Sequence, residues 1–191
     1  TGNMRDYENP QTSGSTPAPW LNSQVQDGSN FSKITALVIE NGITGIGDYA
    51  FSRMTGLTTL EVPGSVKEIG AYAFWGCNNL SSITLNEGLE TIGESAFRTI
   101  YNMKEQTLNI PASVTTIAPY AFEIFQCKGY SVSAGSTSFK AIDGVLFSAD
   151  GKTLVRYPTE KHVDTYQIPE GTEVIGVSAF ELAPFSSVEF P

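Results

Sequence analysis

The chain has 191 residues and a formal net charge of −9, from 20 acidic and 11 basic residues. No run of lysine and arginine occurs, so we expect no binding to nucleic acid or to an anionic membrane surface, both of which need clustered positive charge. No apolar run reaches the roughly 18 residues of a membrane-spanning helix, so we expect no membrane insertion by this segment. No signal peptide is visible at the start of the sequence.

The first 34 residues are rich in glycine, serine, proline and asparagine. This composition predicts an irregular N-terminal cap over residues 1–34, ordered around Trp20 and Leu21. Such a cap shields the apolar core and the open strand edge of the first unit of a repeat protein.

A motif of the form Ile-x-x-x-Ala-Phe then recurs five times. It reads IGDYAF, IGAYAF, IGESAF, IAPYAF and IGVSAF, beginning at Ile46, Ile69, Ile92, Ile117 and Ile175. The first two intervals are 23 residues, the third is 25 and the fourth is 58. A constant short period predicts a solenoid, in which each unit buries its apolar face against its neighbours. We therefore predict a solenoid over residues 35–191.

Each unit has two parts. An apolar–x–apolar step of strand period is followed in most units by proline, which ends a strand because it lacks an N–H. The later Ile-Gly to Ala-Phe part predicts a brief strand and a single helical or 3-10 turn. The phenylalanines are expected to stack as an interior column: Phe51, Phe74, Phe97, Phe122 and Phe180.

The two cysteines, Cys77 and Cys127, lie two units apart. Coils stacked about 4.8 Å apart place them roughly 10 Å apart. This exceeds the limit of about 7 Å between the Cα atoms of a disulfide. We predict two free thiols.

The outward positions of the strands are the candidate ligand-binding residues. Alternation of side chains along a strand directs them away from the core. The strip comprises Thr59, Glu61, Ser82, Thr84, Thr107, Asn109, Thr165 and Gln167, together with Val38, Ser131, Ser187 and Glu189. Its hydroxyl and amide groups suit a glycan or an extended peptide. An ordinary solvated strand surface explains the same residues, because threonine is favoured in strands.

Trp75 is a candidate binding hot spot. The position after Ala-Phe is polar in the other four units, and tryptophan is enriched in interface hot spots. Packing against Arg53 or Arg98 on an adjacent coil is the alternative. Tyr49, Tyr72 and Tyr120 are expected to form a ladder beside it.

Residues 129–165 are predicted to be an insertion. Residues 130–132 (YSV) fall where the next strand is due, so the sheet is expected to continue there. The Asp-Gly pairs at 143–144 and 150–151 indicate turns. The sequence VLFSADGKTLVRY predicts a β-hairpin that projects from one flank of the solenoid.

At these motifs the sequence resembles the BspA-like leucine-rich repeat family. The resemblance rests on the five Ile-x-x-x-Ala-Phe units and on the FKAIDGVLFSADGKTLVRYP segment (139–158). It implies a right-handed superhelix of stacked coils with an N-terminal cap and one inserted hairpin. It also implies a strand before Thr1, so we expect the chain to be part of a longer protein.

No catalytic or metal-binding constellation is evident in the sequence. The single histidine, His162, is expected in an exposed polar loop, and Asp143 and Asp150 are expected to be turn residues. Asn30 begins an N-glycosylation sequon, to which we give little weight. We expect no enzymatic activity and no cofactor.

Our leading hypothesis is a monomeric, non-enzymatic binding module. The family resemblance implies adhesion at the surface of a bacterial cell, to a host matrix protein, a cell-surface protein or a glycan. A structural spacer that holds another domain away from the cell surface is the alternative. An enzyme whose site needs further parts is the third hypothesis.

Overall fold

The computed structural model describes residues 2–7 and 32–191, so Trp20, Leu21 and most of the predicted cap lie outside the described residues. The described part contains fifteen strands and no helix. In chain order they are β1 Gly2–Asn3, β2 Ile43–Ile46, β3 Thr59–Val62, β4 Glu68–Ile69, β5 Ser82–Leu85, β6 Thr91–Ile92, β7 Ile100–Ile110, β8 Thr116–Ile117, β9 Phe125–Val132, β10 Phe139–Ile142, β11 Val145–Ser148, β12 Thr153–Arg156, β13 Thr165–Gln167, β14 Val174–Ile175 and β15 Ser187–Glu189.

The brief strands of the repeat form a parallel sheet along one side of the solenoid. Its order is β1-β2-β4-β6-β8. Ile46 lies beside Ile69, which lies beside Ile92, which in turn lies beside Ile117. The repeated isoleucine therefore marks one position in successive coils, and the predicted solenoid is confirmed.

The longer strands form parallel pairs rather than one continuous sheet: β3 with β5, β7 with β9, and β13 with β15. The expected strand at 130–132 is confirmed as part of β9. The strand expected around Val38 is not formed, since residues 32–40 pair with no strand in the described part of the chain. The side chains there still alternate, with Leu37 and Ile39 half-buried and Val38 82% exposed.

The turn after each brief strand is not helical, which corrects the prediction. Two residues four positions apart have positive φ in all five turns: 49 and 53, 72 and 76, 95 and 99, 120 and 124, 178 and 182. Only Gly76 among them is glycine. A right-handed helix requires negative φ, so these residues prevent one.

Backbone hydrogen bonds between coils compensate for this strained conformation. The N–H of Tyr49 donates to the carbonyl of Ala71 at 2.9 Å, and that of Phe51 to Ala73 at 2.8 Å. The alternating turn backbone thus forms a ladder with the next coil. We call it the turn ladder.

The interior of the first four coils is one apolar cluster with a column of phenylalanines. Ring centroids are 5.5 Å apart for Phe51–Phe74, 5.4 Å for Phe74–Phe97 and 5.9 Å for Phe97–Phe122. Phe180 does not continue the column, contrary to the prediction. It belongs to a second cluster, where its ring meets Phe185 edge-on at 5.3 Å.

The inserted segment forms three antiparallel strands, β10 to β12, rather than a projecting hairpin. Asp143 and Gly144, both with positive φ, make the predicted turn between β10 and β11. The strands pack inward, because Leu146 is buried in the first cluster and Phe147 in the second. The third strand, β12, pairs in parallel with β14 and so supports the last coil.

Candidate functional site

The strand face is the outward surface of β3, β5, β7 and β9. Thr59 lies beside Ser82 and Glu61 beside Thr84, and all four are exposed. Thr107 and Asn109 on β7 are also exposed. The structure therefore places these six predicted site residues on one side of the first four coils.

A groove interrupts the strand face between β5 and β7, which do not pair. It has a volume of about 340 Å³ and is lined by Ile83, Thr84, Leu85, Asn86, Glu87, Thr107, Asn109 and Ser133. We call it the β5–β7 groove. Between Phe97 and Leu108 the chain has two residues more than in the preceding unit, and β7 shows two register shifts in this segment. The extra residues account for the loss of pairing with β5.

Side chains fix the C-terminal end of the groove. The Glu87 carboxylate accepts hydrogen bonds from the N–H of Ala112 at 2.9 Å and of Ser113 at 3.1 Å. The Ala112 bond is the main reason that the pKa of Glu87 is lowered, with Ser113 adding to it. Asn109 donates to Ser133 and accepts from Ser131, both at 3.0 Å. The groove therefore presents a fixed negative charge and a positioned amide.

Four hydroxyl groups of the strand face make no hydrogen bond to any described side chain or backbone group. They belong to Thr59, Ser82, Thr84 and Thr107. All four residues are exposed, so their hydroxyl groups are available to a ligand.

A second groove lies along the edge of β3 that faces away from β5. In the described part of the chain this edge pairs with no strand. It has a volume of about 420 Å³, and its polar lining includes Glu40, Asn41, Glu61 and Asn86. Asn86 donates to Glu61 at 3.3 Å, so this polar pair lies between the two grooves. Both grooves are acidic.

Thr165 and Gln167 lie apart from the other candidate residues. They are on β13, which within the described part of the chain pairs with β15 alone and makes no contact with β9. Thr165 hydrogen-bonds to Ser187 at 2.8 Å and Gln167 to Glu189 at 3.2 Å. The predicted strip is therefore divided into two surfaces, and its second part is satisfied internally.

Trp75 is half-buried. Its ring meets Tyr72 of its own unit edge-on, with centroids 6.1 Å apart. Tyr49 and Tyr72 stack at 4.8 Å, but Ser95 interrupts the ladder before Tyr120. Trp75 thus lies on the turn side, away from the strand face.

The remaining polar candidates have local partners. His162 is 70% exposed beside Glu160, Asp143 pairs with Lys161 at 2.6 Å, and Asp150 accepts from Ser148 at 2.6 Å. Residues 2–7 and 32–191 contain no group of three potential metal ligands. No described segment forms a helix of the length and apolarity needed to cross a membrane.

Both cysteines are buried free thiols in the structure. Burial raises the pKa of each thiol to about 12. Cys77 donates to the carbonyl of Phe51 at 3.2 Å. A thiol with such a pKa is neutral at physiological pH and is not a nucleophile.

Sequence reasoning missed Arg156 and Glu181, which join the two clusters of the solenoid. The Arg156 side chain is 4% exposed and donates to the carbonyl of Ser178 and, at 3.5 Å, to the Glu181 carboxylate. Its signal in the sequence is a lone arginine inside an apolar run, LVRYP, because a charge there needs a buried partner.

The sequence matches the family model described as "BspA type Leucine rich repeat region (6 copies)" over residues 29–150. No curated protein sequence matches the chain.

Three solved structures of bacterial proteins are similar to this chain. A leucine-rich cell surface protein from Faecalibacterium prausnitzii is 33% identical with a TM-score of 0.73, and the match covers 84% of this chain and 42% of that one. The pneumococcal vaccine antigen PcpA is 31% identical with a TM-score of 0.72, and coverage is 78% and 37%. A leucine-rich repeat protein from Eubacterium ventriosum shares the fold at 21% identity, with a TM-score of 0.66 and coverage of 98% and 53%. In each case the match spans about half or less of the relative's length.

Proposed function

Because the chain belongs to the BspA-type leucine-rich repeat family, we propose that it is a non-enzymatic protein-binding module that acts through its strand face. The observation that carries this proposal is the β5–β7 groove with the unpartnered hydroxyls of Thr84 and Thr107 on either side. β5 and β7 are not paired with each other, and a partner segment that lies across the groove can contact the exposed side chains of Thr84 and Thr107 on its two sides.

The charge of the groove favours a neutral or basic partner segment. Glu87 remains ionised well below neutral pH because the backbone N–H groups of Ala112 and Ser113 hold its carboxylate. Glu61 lies at the neighbouring groove, and the whole chain carries a net charge of −9. An acidic partner would be repelled, whereas a basic one would be attracted during encounter.

We propose a location at the bacterial cell surface, where the module would adhere to a host matrix protein, a cell-surface protein or a glycan. The support is that one similar protein is described as a cell surface protein and another as a vaccine antigen. The protein partner is favoured over the glycan, because no exposed aromatic platform of the kind that stacks on sugars lines the β5–β7 groove.

A structural spacer is the second candidate, and the hydrogen bonds among the outward side chains of β7, β9, β13 and β15 favour it. Asn109 with Ser131 and Ser133, Thr165 with Ser187, and Gln167 with Glu189 satisfy one another between adjacent strands. Side chains that are paired in this way stabilise the stack without a ligand. The unpartnered hydroxyls near the groove are what distinguish the binding module from a spacer.

The proposal is tested by binding of the purified chain to an array of matrix proteins, mucins and glycans. A variant with Thr59, Thr84 and Thr107 all replaced by alanine is run alongside the wild type. The matched control replaces Thr165 and Gln167 by alanine, which removes outward side chains from β13. Saturable binding that is lost only in the triple variant supports the strand face, and a blank array supports the spacer.

Trp75→Ala completes the set of variants, because Trp75 is the proposed hot spot on the other side of the molecule. Its ring is half-buried against Tyr72, so truncation alters the turn surface without reaching the strand face. Binding lost in this variant and kept in the triple variant would move the site to the turn side.

A further inference from the structure

The turn ladder follows a regular rule in the first coils. In each turn, the residue just before the Ala-Phe pair and the phenylalanine of that pair donate their N–H groups to carbonyls of the next coil. Tyr72 donates to Glu94 and Phe74 to Ala96, both at 2.8 Å. Ser95 donates to Pro119 at 3.4 Å and Phe97 to Ala121 at 2.9 Å.

The acceptors of this ladder share a pattern. In each coil they are three carbonyls at alternate positions, and the second always belongs to alanine. Ala73, Ala96 and Ala121 are at most 2% exposed, so the close approach of the coils leaves room only for a small side chain at that position.

The ladder stops at the fourth coil. Neither the N–H of Tyr120 nor that of Phe122 has an acceptor among residues 2–7 and 32–191. The next position, Ile124, donates to the carboxylate of Glu181 instead of to a carbonyl. Across the gap, the N–H of Tyr157 donates to the Ala179 carbonyl at 2.8 Å and Nη2 of Arg156 to the Glu181 carbonyl at 3.5 Å, so these two acceptor positions of the last coil are filled without a preceding turn. Two hydrogen bonds of the ladder, those donated by Tyr120 and Phe122, are therefore missing between the fourth coil and β12.

A cleft of about 210 Å³ occupies this gap. On one side it is lined by Ile117 to Glu123, and on the other by Thr153, Val155, Arg156, Gly176 and Val177. It exceeds the size of cavities of about 150 Å³ that hold a benzene molecule. The Nε of Arg156, in a side chain only 4% exposed, has no hydrogen-bond partner in the described part of the chain.

We propose that this cleft, which we call the seam cleft, binds a short peptide segment of a partner protein in the alternating turn conformation of the ladder itself. Two peptide carbonyls separated by one residue accept from Tyr120 and Phe122, as Glu94 and Ala96 accept from Tyr72 and Phe74. The residue that carries the second carbonyl is alanine or glycine, because the segment lies as close to the fourth coil as successive coils lie to each other. The apolar side chains of Ile117, Val155 and Val177 cover the segment.

The seam cleft belongs to a different surface from the strand face, so its occupancy does not rest on the function proposed above. It lies beside β8, at the end of the sheet of brief strands. A protein that fails to bind matrix proteins through the β5–β7 groove can still bind a peptide here.

The test uses the synthetic peptide acetyl-IGESAFR-amide, which is residues 92–98 of this chain and carries the Glu94 and Ala96 carbonyls. Binding is measured by calorimetry, and amide shifts of isotope-labelled protein are followed by NMR. Saturable binding below about 1 mM is expected, with the amide protons of Tyr120 and Phe122 shifting downfield as they gain acceptors. A scrambled peptide of equal composition is the ligand control.

Pro119→Trp blocks the seam cleft, and Glu94→Trp is the matched protein control. Both residues are exposed and occupy the same position of consecutive coils, but only Pro119 lines the cleft. Affinity should fall at least about tenfold in Pro119→Trp and stay unchanged in Glu94→Trp. The proposal is overturned by absence of binding, by equal affinity of both variants, or by shifts confined to Ser178 and Phe180, the same positions of the last coil.

Discussion

The carboxylate of Glu181 accepts a hydrogen bond at 3.2 Å from the N–H of Ile124, 57 residues earlier in the chain. The same carboxylate lies 3.5 Å from Nη1 of Arg156. One side chain therefore ends the turn ladder of the first four coils and neutralises the buried cation that starts the second cluster. It is one of several links between the two parts of the solenoid, beside the hydrogen bond from the N–H of Tyr130 to the Gly144 carbonyl at 2.8 Å.

Glu181→Gln is predicted to lower the free energy of unfolding by about 1–3 kcal/mol, because it leaves the buried Arg156 charge without its counter-ion. Urea denaturation measures the change. Glu173→Gln is the control: its pair with Lys152 spans 2.6 Å, but both side chains are more than half exposed, so a change within about 0.5 kcal/mol is expected. Equal losses in the two variants would contradict this role of Glu181.

Gly76→Ala is predicted to destabilise the protein by about 1–2 kcal/mol, because an L-residue at a φ of 73° is strained. Steric overlap is not the cause, since an added Cβ would meet its nearest atom, Cγ of Arg53, at an ordinary 3.4 Å. Thr99, with φ 66°, has the same place in the next turn. Thr99→Gly should therefore change the unfolding free energy in the opposite direction, and a loss of stability in both variants would refute the strain argument.

Cys77 and Cys127 are predicted to resist labelling by a thiol-specific reagent at pH 8 in the native state. Burial raises both pKa values to about 12, so little thiolate forms, and the reagent has no access until the structure opens. Labelling should be at least about 100-fold slower than in urea, where two thiols per chain react. Fast native labelling of either cysteine would show that its coil is open.

The pKa of Glu87 links the β5–β7 groove to acid stability. The N–H of Ala112 favours the carboxylate in the folded state, so the folded pKa lies below the unfolded value of about 4.3. The contribution of these hydrogen bonds to the free energy of unfolding is present above about pH 4.3. It is lost as the pH falls through the lower pKa of the folded state. Glu87→Gln should flatten the fall of unfolding free energy in this range, as measured by urea titrations between pH 6 and 3. An unchanged pH profile would show that these hydrogen bonds do not persist in solution.

The sequence identified the parts of the fold that depend on a strict period. The 23-residue interval fixed the register of Ile46, Ile69 and Ile92 and the stacking of three consecutive phenylalanines. Phe180 was placed wrongly because 35 additional residues separate its unit from the preceding one. Tyr157, which belongs to those residues, packs edge-on against Phe180 at 6.1 Å and takes the neighbouring position in the stack.

The turns show where periodicity is insufficient. A short segment containing alanine and phenylalanine is compatible with a helical turn, and nothing in Tyr49 or Ser95 as residue types indicates positive φ. Hydrogen bonds from these residues to the next coil select that conformation. Such bonds are tertiary interactions, and single-sequence reasoning does not include them.

The candidate site was only partly predictable for a related reason. Alternation identified Thr84 and Thr107 as outward residues, whereas the groove between them depends on whether β5 and β7 pair. The 25-residue interval was visible in the sequence, but its effect on strand pairing was not. Thr165 and Gln167 fit the same pattern yet lie on a separate pair of strands, because the insertion forms its own sheet.

The most direct test of binding at the β5–β7 groove is the affinity of the wild-type chain and of Thr107→Trp for a protein retained by the wild type on the array. Trp at position 107 fills the β5–β7 groove from an exposed position, and Thr165→Trp makes the same change on β13. We expect at least about tenfold weaker binding for Thr107→Trp and wild-type affinity for Thr165→Trp. Equal affinity of all three chains, or a wild-type chain that retains no protein, would refute a binding role for the groove.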